Sequence, residues 1–199
     1  MSSMNSNMQD YLSEFFKGEA ELWMYMLFII LLAMMLLLVV WKSRNRNNRK
    51  QLLRRLKKMS EGIMIDIEIP DGVENIVHLD CLLLTRAGLL VIDIKDYAGL
   101  IFGAESIDVW TQVLGNRSYK FDNPLFQNQE RVMAVKSLAL GAPVSGHVLF
   151  TSAGEFPKGK PEGVCTPKSL TDDLSYINEF NELPSSVVDG WEQIKRLLS

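Results

Sequence analysis

The apolar and polar positions of this chain change period several times along its length. Met1–Glu21 is polar, with one cluster at Tyr11, Leu12, Phe15 and Phe16 that suits a short interfacial helix. Leu22–Trp41 then holds no charged residue and is mostly Leu, Ile, Met and Val, about the length that crosses a bilayer. Trp23, Tyr25 and Trp41 stand at its ends, where an aromatic belt lies. Lys42–Asn48 reads as a polar linker. Gln51–Met59 carries Leu52, Leu53, Leu56 and Met59 at helical spacing, with arginines and lysines on the other face.

From Ser60 the period falls to two. Ile63–Pro70 alternates Ile63, Ile65, Ile67 and Ile69 with Asp66 and Glu68, a strand with one wet face. After an Asp71-Gly72 turn come two apolar runs within His78–Gly99, HLDCLLLTRAGLLVIDIKDYAG, broken by Thr85-Arg86-Ala87-Gly88, which predicts a tight hairpin. Ser106–Leu114 and Arg117–Phe121 predict a second hairpin across Gly115-Asn116. Asn123-Pro124 starts a helix, with Asn at the cap and Pro in the first turn, that runs to about Leu140 and buries Val132, Met133, Val135 and Leu138. His147–Thr151 is a short strand, Phe156–Pro161 a loop and Val164–Thr166 a last strand. Leu170, Leu174, Ile177 and Phe180 mark a further helix, and Trp191, Ile194, Leu197 and Leu198 a terminal one. The order predicts a mixed α/β domain.

The organisation that follows is an N-terminal extracytoplasmic segment (1–21), a transmembrane helix (22–41), a basic juxtamembrane linker and helix (42–59), a catalytic or binding domain (60–185) and a C-terminal helix (186–199). A cleaved signal peptide would have a basic start, a shorter apolar region and a small-residue cleavage site. Here Asp10, Glu14, Glu19 and Glu21 precede the apolar run against Lys17 alone, so the run reads as a retained anchor. Lys42, Arg44, Arg46, Arg49, Lys50, Arg54, Arg55, Lys57 and Lys58 follow it with no acid among them. The positive-inside rule then puts the N-terminus outside, the C-terminal domain in the cytoplasm and the protein in the inner (cytoplasmic) membrane. The basic residues of 42–58 suit anionic lipid headgroups, or alternatively a nucleic-acid backbone. Of the chain's 199 residues 47% are hydrophobic and its formal net charge is −3, but the part from Ser60 onward has eleven Lys and Arg against twenty Asp and Glu. Such a balance repels a polyanion unless a metal ion, the basic segment, or a local patch from Arg86, Arg117, Lys120 and Arg131 offsets it.

Charge in the central hairpin is the candidate chemistry. Asp93 and Lys95, two apart on a strand, point the same way, opposite to Leu90, Ile92 and Ile94. An even-length loop at the break brings Asp80 opposite Asp93, or opposite Lys95 if the turn centres on Ala87-Gly88. In either register the three side chains share a face, at about 4.5–8 Å between Cβ atoms. An odd-length loop puts Asp80 on the other face. Facing carboxylates need a positive charge between them, and hard oxygen donors suit Mg²⁺ or Mn²⁺. A neighbouring lysine orients or deprotonates water and stabilises an oxyanion, which is the chemistry of metal-dependent phosphodiester hydrolysis. The plain alternative is a half-exposed strand whose Asp and Lys form a surface pair. His78 shares a face with Asp80, but His78 and His147 are too few and too far apart for a zinc site. Cys81 and Cys165 have no metal-ligand spacing and read as small apolar residues of a reduced domain.

This hairpin, followed by Trp110, by NPLFQNQ at Asn123–Gln129 and by HVLFTSAGEF at His147–Phe156, resembles the NERD (nuclease-related) domain family over roughly Ile63–Phe180. The resemblance implies a restriction-endonuclease-like fold of the PD-(D/E)xK type, after a single transmembrane helix. By position it makes Asp80 and Asp93 metal ligands for Mg²⁺ or Mn²⁺, Lys95 the catalytic lysine and Gln127 an accessory polar residue; Gln127 otherwise reads as a solvated first-turn residue. Two departures stand out. The family's usual Glu in the helix before the first strand has no counterpart in QLLRRLKKM, and the acid before the lysine is Asp93 rather than Glu. Asp66, Glu68 and Glu130 are the acids available to replace the missing Glu. The expected function is a membrane-anchored, Mg²⁺-dependent nuclease (a phosphodiester hydrolase) acting on DNA or RNA. The alternative is a catalytically silent membrane adaptor that keeps the nuclease-like fold for binding.

Overall fold

The computed structural model describes the backbone of residues 2–72, 75–139, 141–151 and 154–198, and the side chains of 23–40 and of the described residues from 48 onward. The side chains of Tyr11, Leu12, Phe15 and Phe16, of Leu22 and Trp41, and of Lys42, Arg44 and Arg46 lie outside the described residues, as does Leu140. The first element is one helix, α1 (Ser2–Met59). It includes Trp23–Val40, a stretch of mean hydropathy 2.8 that is long and apolar enough to cross a membrane. Every side chain of that stretch is exposed. The polar linker expected at Lys42–Asn48 is helical instead, because no Gly or Pro between Leu22 and Gly62 interrupts the backbone ladder.

The chain divides into two units, Met1–Asn47 and Asn48–Ser199. The second therefore starts twelve residues before the boundary expected at Ser60. The reason is the leucine stripe: Leu52 and Leu56, at 4% and 0% exposure, are core residues of the second unit rather than part of a surface helix.

After α1 the order is β1 (Gly62–Pro70), β2 (Ile76–Thr85), β3 (Gly88–Lys95), β4 (Gly99–Phe102), β5 (Val109–Leu114), β6 (Arg117–Asp122), α2 (Pro124–Leu138), β7 (Val144–Phe150), β8 (Gly154–Glu155), β9 (Val164–Cys165), α3 (Leu170–Asp173), a 3₁₀ turn at Ser175–Asn178 and α4 (Ser185–Leu197). A five-stranded sheet runs β1-β2-β3-β7-β9 and a four-stranded one β6-β5-β4-β8. In the larger sheet β1, β2 and β3 are antiparallel neighbours, whereas β7 and β9 lie parallel to β3. A parallel neighbour requires a crossover, which β4–β6 and α2 supply. This is the mixed α/β architecture expected of a nuclease-like domain.

Alternation along β2 and β3 sorts their side chains into two cores. Leu82, Leu84, Leu89 and Val91 meet Val132 and Val135 of α2 and Val187, Trp191 and Ile194 of α4. Cys81, Leu83, Leu90 and Ile92 meet Leu52 and Leu56 of α1 together with Leu170, Leu174 and Ile177. A third cluster seats the smaller sheet, with the indole of Trp110 stacked on Phe150 at 6.1 Å between centroids.

Two helical expectations need correction. Met133 is 58% exposed; the inward row of α2 is Asn128, Val132 and Val135, one face of a 3.6-residue period that excludes position 133. The helix expected from Leu170 to Phe180 breaks after Asp173 into the 3₁₀ turn, and Phe180 is exposed. Leu170, Leu174 and Ile177 still bury, while Ser175 and Asn178 are poor helix residues.

Candidate functional site

The β2–β3 hairpin closes with a two-residue loop, Arg86-Ala87, between the paired Thr85 and Gly88. Gly88 has φ 140°, and a Cβ there would stand 2.4 Å from the Pro143 carbonyl oxygen, so the turn requires glycine. The ladder's last pair is Cys81↔Ile92, one step short of Asp80 and Asp93. Of the two even-loop registers, the structure adopts the one that sets Asp80 against Asp93.

Strict alternation does not survive to Asp80. Leu79 and Leu82 both face the α2/α4 core while Cys81 faces the other, so β2 slips by one position at Asp80–Cys81. Strand β1 slips at the same level: Met64 and Ile67 face one core and Ile63 the other, and Asp66 between them has φ 53°. Asp80 consequently turns its carboxylate into the seam between β2 and β3. The Ile94 backbone N–H donates to its Oδ2 at 2.8 Å. Arg49, from the end of α1, donates through Nη2 to Asp80 Oδ1 at 3.1 Å and to Asp66 Oδ1 at 2.9 Å.

Asp93, next along this row, is 3% exposed. Its Oδ2 lies 2.9 Å from Lys95 Nζ and 3.3 Å from Arg131 Nη1. Lys95 Nζ also donates to Gln127 Oε1 at 3.3 Å. Arg131 Nε donates to the His78 carbonyl at 3.0 Å, tying α2 to β2. Burial is the main cause that pushes the Asp80 carboxyl above the ordinary carboxylate range; the hydrogen bond and negative charge of Asp93 add to it, and the Ile94 N–H and Arg49 oppose it. A carboxylate held in this way gains from any cation between it and Asp93.

Helix α2 reaches the site because β7 lets it approach. A Cβ on Gly146 would lie 2.4 Å from Asn128 Oδ1 and 2.5 Å from Val132 Cγ2. Asn128 Nδ2 donates to the His147 carbonyl at 2.7 Å. The helix starts on Asn123, buried, whose Oδ1 accepts from the Leu125 N–H at 2.9 Å and whose Nδ2 donates to the Glu105 and Ile107 carbonyls at 3.1 and 2.9 Å.

Asp80, Asp93, Lys95 and Gln127 thus meet in one place. The other candidates fall around it or away from it. Asp66, itself exposed, shares Arg49 with Asp80, and Glu68 and Glu130 are exposed as well. His78 is half-exposed, with Nε2 3.8 Å from Asp66 Oδ1. Arg86 pairs with Glu61 at 2.7 Å, and Arg117 and Lys120 are exposed on β6. His147 Nε2 lies 3.1 Å from the Tyr176 hydroxyl. Burial pushes the thiols of Cys81 and Cys165 up to about 12, so neither offers a thiolate. Among the described residues no group of three or more His, Cys, Asp and Glu is arranged to hold a metal ion.

Two participants were not singled out for this site from the sequence. Arg131 stands four residues after Gln127, one helical turn on, and that spacing could have flagged it. Arg49 had no such signal within a uniformly basic run. Within the basic segment, Arg49 and Arg55 bind the domain itself; Arg55 donates to the Pro167 carbonyl and lies 3.3 Å from Thr171 Oγ1. Lys50, Arg54, Lys57 and Lys58 face solvent.

Comparison with known proteins adds two findings. The family model described as "Nuclease-related domain" matches residues 44–151, more than half of the chain. A Bacillus anthracis protein described only as uncharacterized is 26% identical over 89 residues, which cover 45% of this chain and 42% of that protein. The match thus takes in less than half of the relative's length. No solved structure matches.

Proposed function

This chain belongs to the nuclease-related domain family, and on that premise we propose that it is a membrane-anchored, divalent-metal-dependent nuclease hydrolysing nucleic-acid phosphodiesters. The observation that carries the reading is the meeting of Asp80 and Asp93 in one seam, with Lys95 Nζ 2.9 Å from Asp93 and 3.3 Å from Gln127. Two adjacent oxygen donors, one of them penalised by burial and by the other's charge, fit a single hard cation such as Mg²⁺ or Mn²⁺. When bound, such an ion supplies charge neutralisation at the phosphodiester and a more acidic water.

The chain's own residues have the remaining roles. Asp80 and Asp93 would hold the ion, and the Ile94 N–H fixes the rotamer of Asp80. Lys95, aimed by Asp93 and Gln127, hydrogen-bonds the attacking water or a non-bridging phosphate oxygen and stabilises charge that develops there. Arg131 holds Asp93 from the side of α2. Trp23–Val40 anchors the chain, and the basic run Lys42–Lys58 sets the domain on the cytoplasmic face of the inner membrane. The exposed Lys50, Arg54, Lys57 and Lys58 are the part of that run that meets anionic headgroups.

A second reading, a catalytically silent adaptor, is favoured by one observation: Arg49 and Arg131 already neutralise the two carboxylates, and among the described residues no third acid is grouped with them to hold a metal ion. One assay separates the two. The full chain in neutral detergent is incubated with linear DNA, circular DNA and RNA in Mg²⁺ or Mn²⁺, beside Asp93→Asn and Lys95→Gln. Cleavage that vanishes in both variants and in chelator is the expected result. No cleavage by the folded wild-type chain on any substrate, or cleavage that persists in both variants, refutes the nuclease reading.

A further inference from the structure

Arg49 occupies the place a cation needs at Asp80. Both oxygens of that carboxylate are engaged, Oδ2 by the Ile94 N–H at 2.8 Å and Oδ1 by Arg49 Nη2 at 3.1 Å. The same Nη2 atom is held at 2.9 Å by Asp66 Oδ1. Asp66 adopts φ 53°, a left-handed conformation that most L residues avoid and that Asp and Asn take more readily than others. Its strand slips there in step with β2, and the slip brings Asp66 and Asp80 to the same guanidinium.

We infer that Arg49 is the residue that decides whether the Asp80–Asp93 pair accepts a divalent cation, with Asp66 as the seat that keeps the guanidinium over Asp80. The inference rests on the reading of Asp80 and Asp93 as metal ligands. A hard divalent ion binds carboxylate oxygen at about 2.1 Å and keeps several waters. A guanidinium nitrogen bonded to that oxygen fills the space and adds a like charge. Ion and guanidinium therefore exclude one another, and metal binding includes the release of Arg49. Arg131, 3.3 Å from Asp93 Oδ2, crowds the pair from the side of α2 and is tied to β2 by the His78 carbonyl.

The test is a Mn²⁺ titration of the full chain in neutral detergent, reading free aquo-Mn²⁺ by electron paramagnetic resonance, with the fold checked by near-ultraviolet circular dichroism. Arg49→Gln is expected to bind Mn²⁺ at least about tenfold more tightly than wild type, which corresponds to about 1.4 kcal/mol. Asp66→Asn leaves α1 untouched, loosens the seat of Arg49 and is expected to tighten binding in the same direction. Asp80→Asn added to Arg49→Gln is expected to abolish the gain. Equal or weaker Mn²⁺ binding in both Arg49→Gln and Asp66→Asn, with binding still lost in Asp93→Asn, overturns the role of Arg49 and leaves the metal reading intact. No Mn²⁺ binding in any variant overturns both.

Discussion

Asp93 is the anion on which Lys95 and Arg131 converge, and its removal gives a magnitude that can be worked from the geometry. The carboxylate is 3% exposed, and its partners Lys95 and Arg131 are 17% and 21% exposed. Asp93→Ala leaves both cations largely out of water. Lys95 retains the neutral Gln127 and Arg131 the His78 carbonyl. Removing one partner of a buried pair costs about 3–5 kcal/mol, and the surviving neutral acceptors argue for the lower end, about 3 kcal/mol. For a unit of this size that is a fall of about 6–12 °C in Tm. The assay is thermal melting of the full chain in neutral detergent, followed by near-ultraviolet circular dichroism. Arg131→Met in the Asp93→Ala background removes one stranded charge and is expected to recover part of the loss. A single variant that melts within about 2 °C of wild type, under 1 kcal/mol, refutes the reasoning. So does a double variant less stable than Asp93→Ala.

Three further outcomes follow from other parts of the site. Asp80 is raised above the usual carboxylate value of 3.8 chiefly by burial, so the folded state holds its proton more tightly than the unfolded chain. That contribution to stability is complete below the ordinary carboxylate range and is lost as pH rises through the folded value; Asp80→Asn flattens this decline in a plot of Tm against pH. Gly146→Ala drives a methyl into Asn128 and Val132, shifts α2 outward and costs about 1–3 kcal/mol, read as a lower denaturation midpoint. Asn123→Ala removes the α2 cap and strands the carbonyls of Glu105 and Ile107, a loss of about 2–3 kcal/mol that urea titration measures.

The hairpin was legible except for its register, which parity narrows to two forms for an even loop and the Thr85–Gly88 pair decides. Once Thr85 pairs with Gly88, every apolar residue from Cys81 to Ile92 falls to a determined side, and the structure follows that sorting. The cap at Asn123 was equally legible, since Asn before Pro offers its oxygen to an N–H two residues on. What escaped was non-local. The slip at Asp80 depends on a matching slip at Asp66 in another strand, and no period within either strand announces it. Arg49 meets Asp80 across 31 positions of sequence. The end of α1 looked like a surface helix because its leucines face a core drawn from distant parts of the chain, from Cys81 and Ile92 on the sheet to Leu170, Leu174 and Ile177 more than a hundred positions away.

The place of Leu52 and Leu56 in that core bears on how such a protein is prepared for study. Trimming a hydrophobic N-terminus back to the first strand is a natural route to a soluble sample. Here a fragment starting at Ser60 would open the floor beneath Cys81, Leu83 and Ile92, with about 1.5–3 kcal/mol of burial lost for each leucine. It would also discard Arg49, and with it the only described side-chain partner Asp80 has on α1. An inactive fragment of that kind would report on the cut, and a metal-binding one on a site stripped of its guard. A fragment beginning at or before Asn48 retains both.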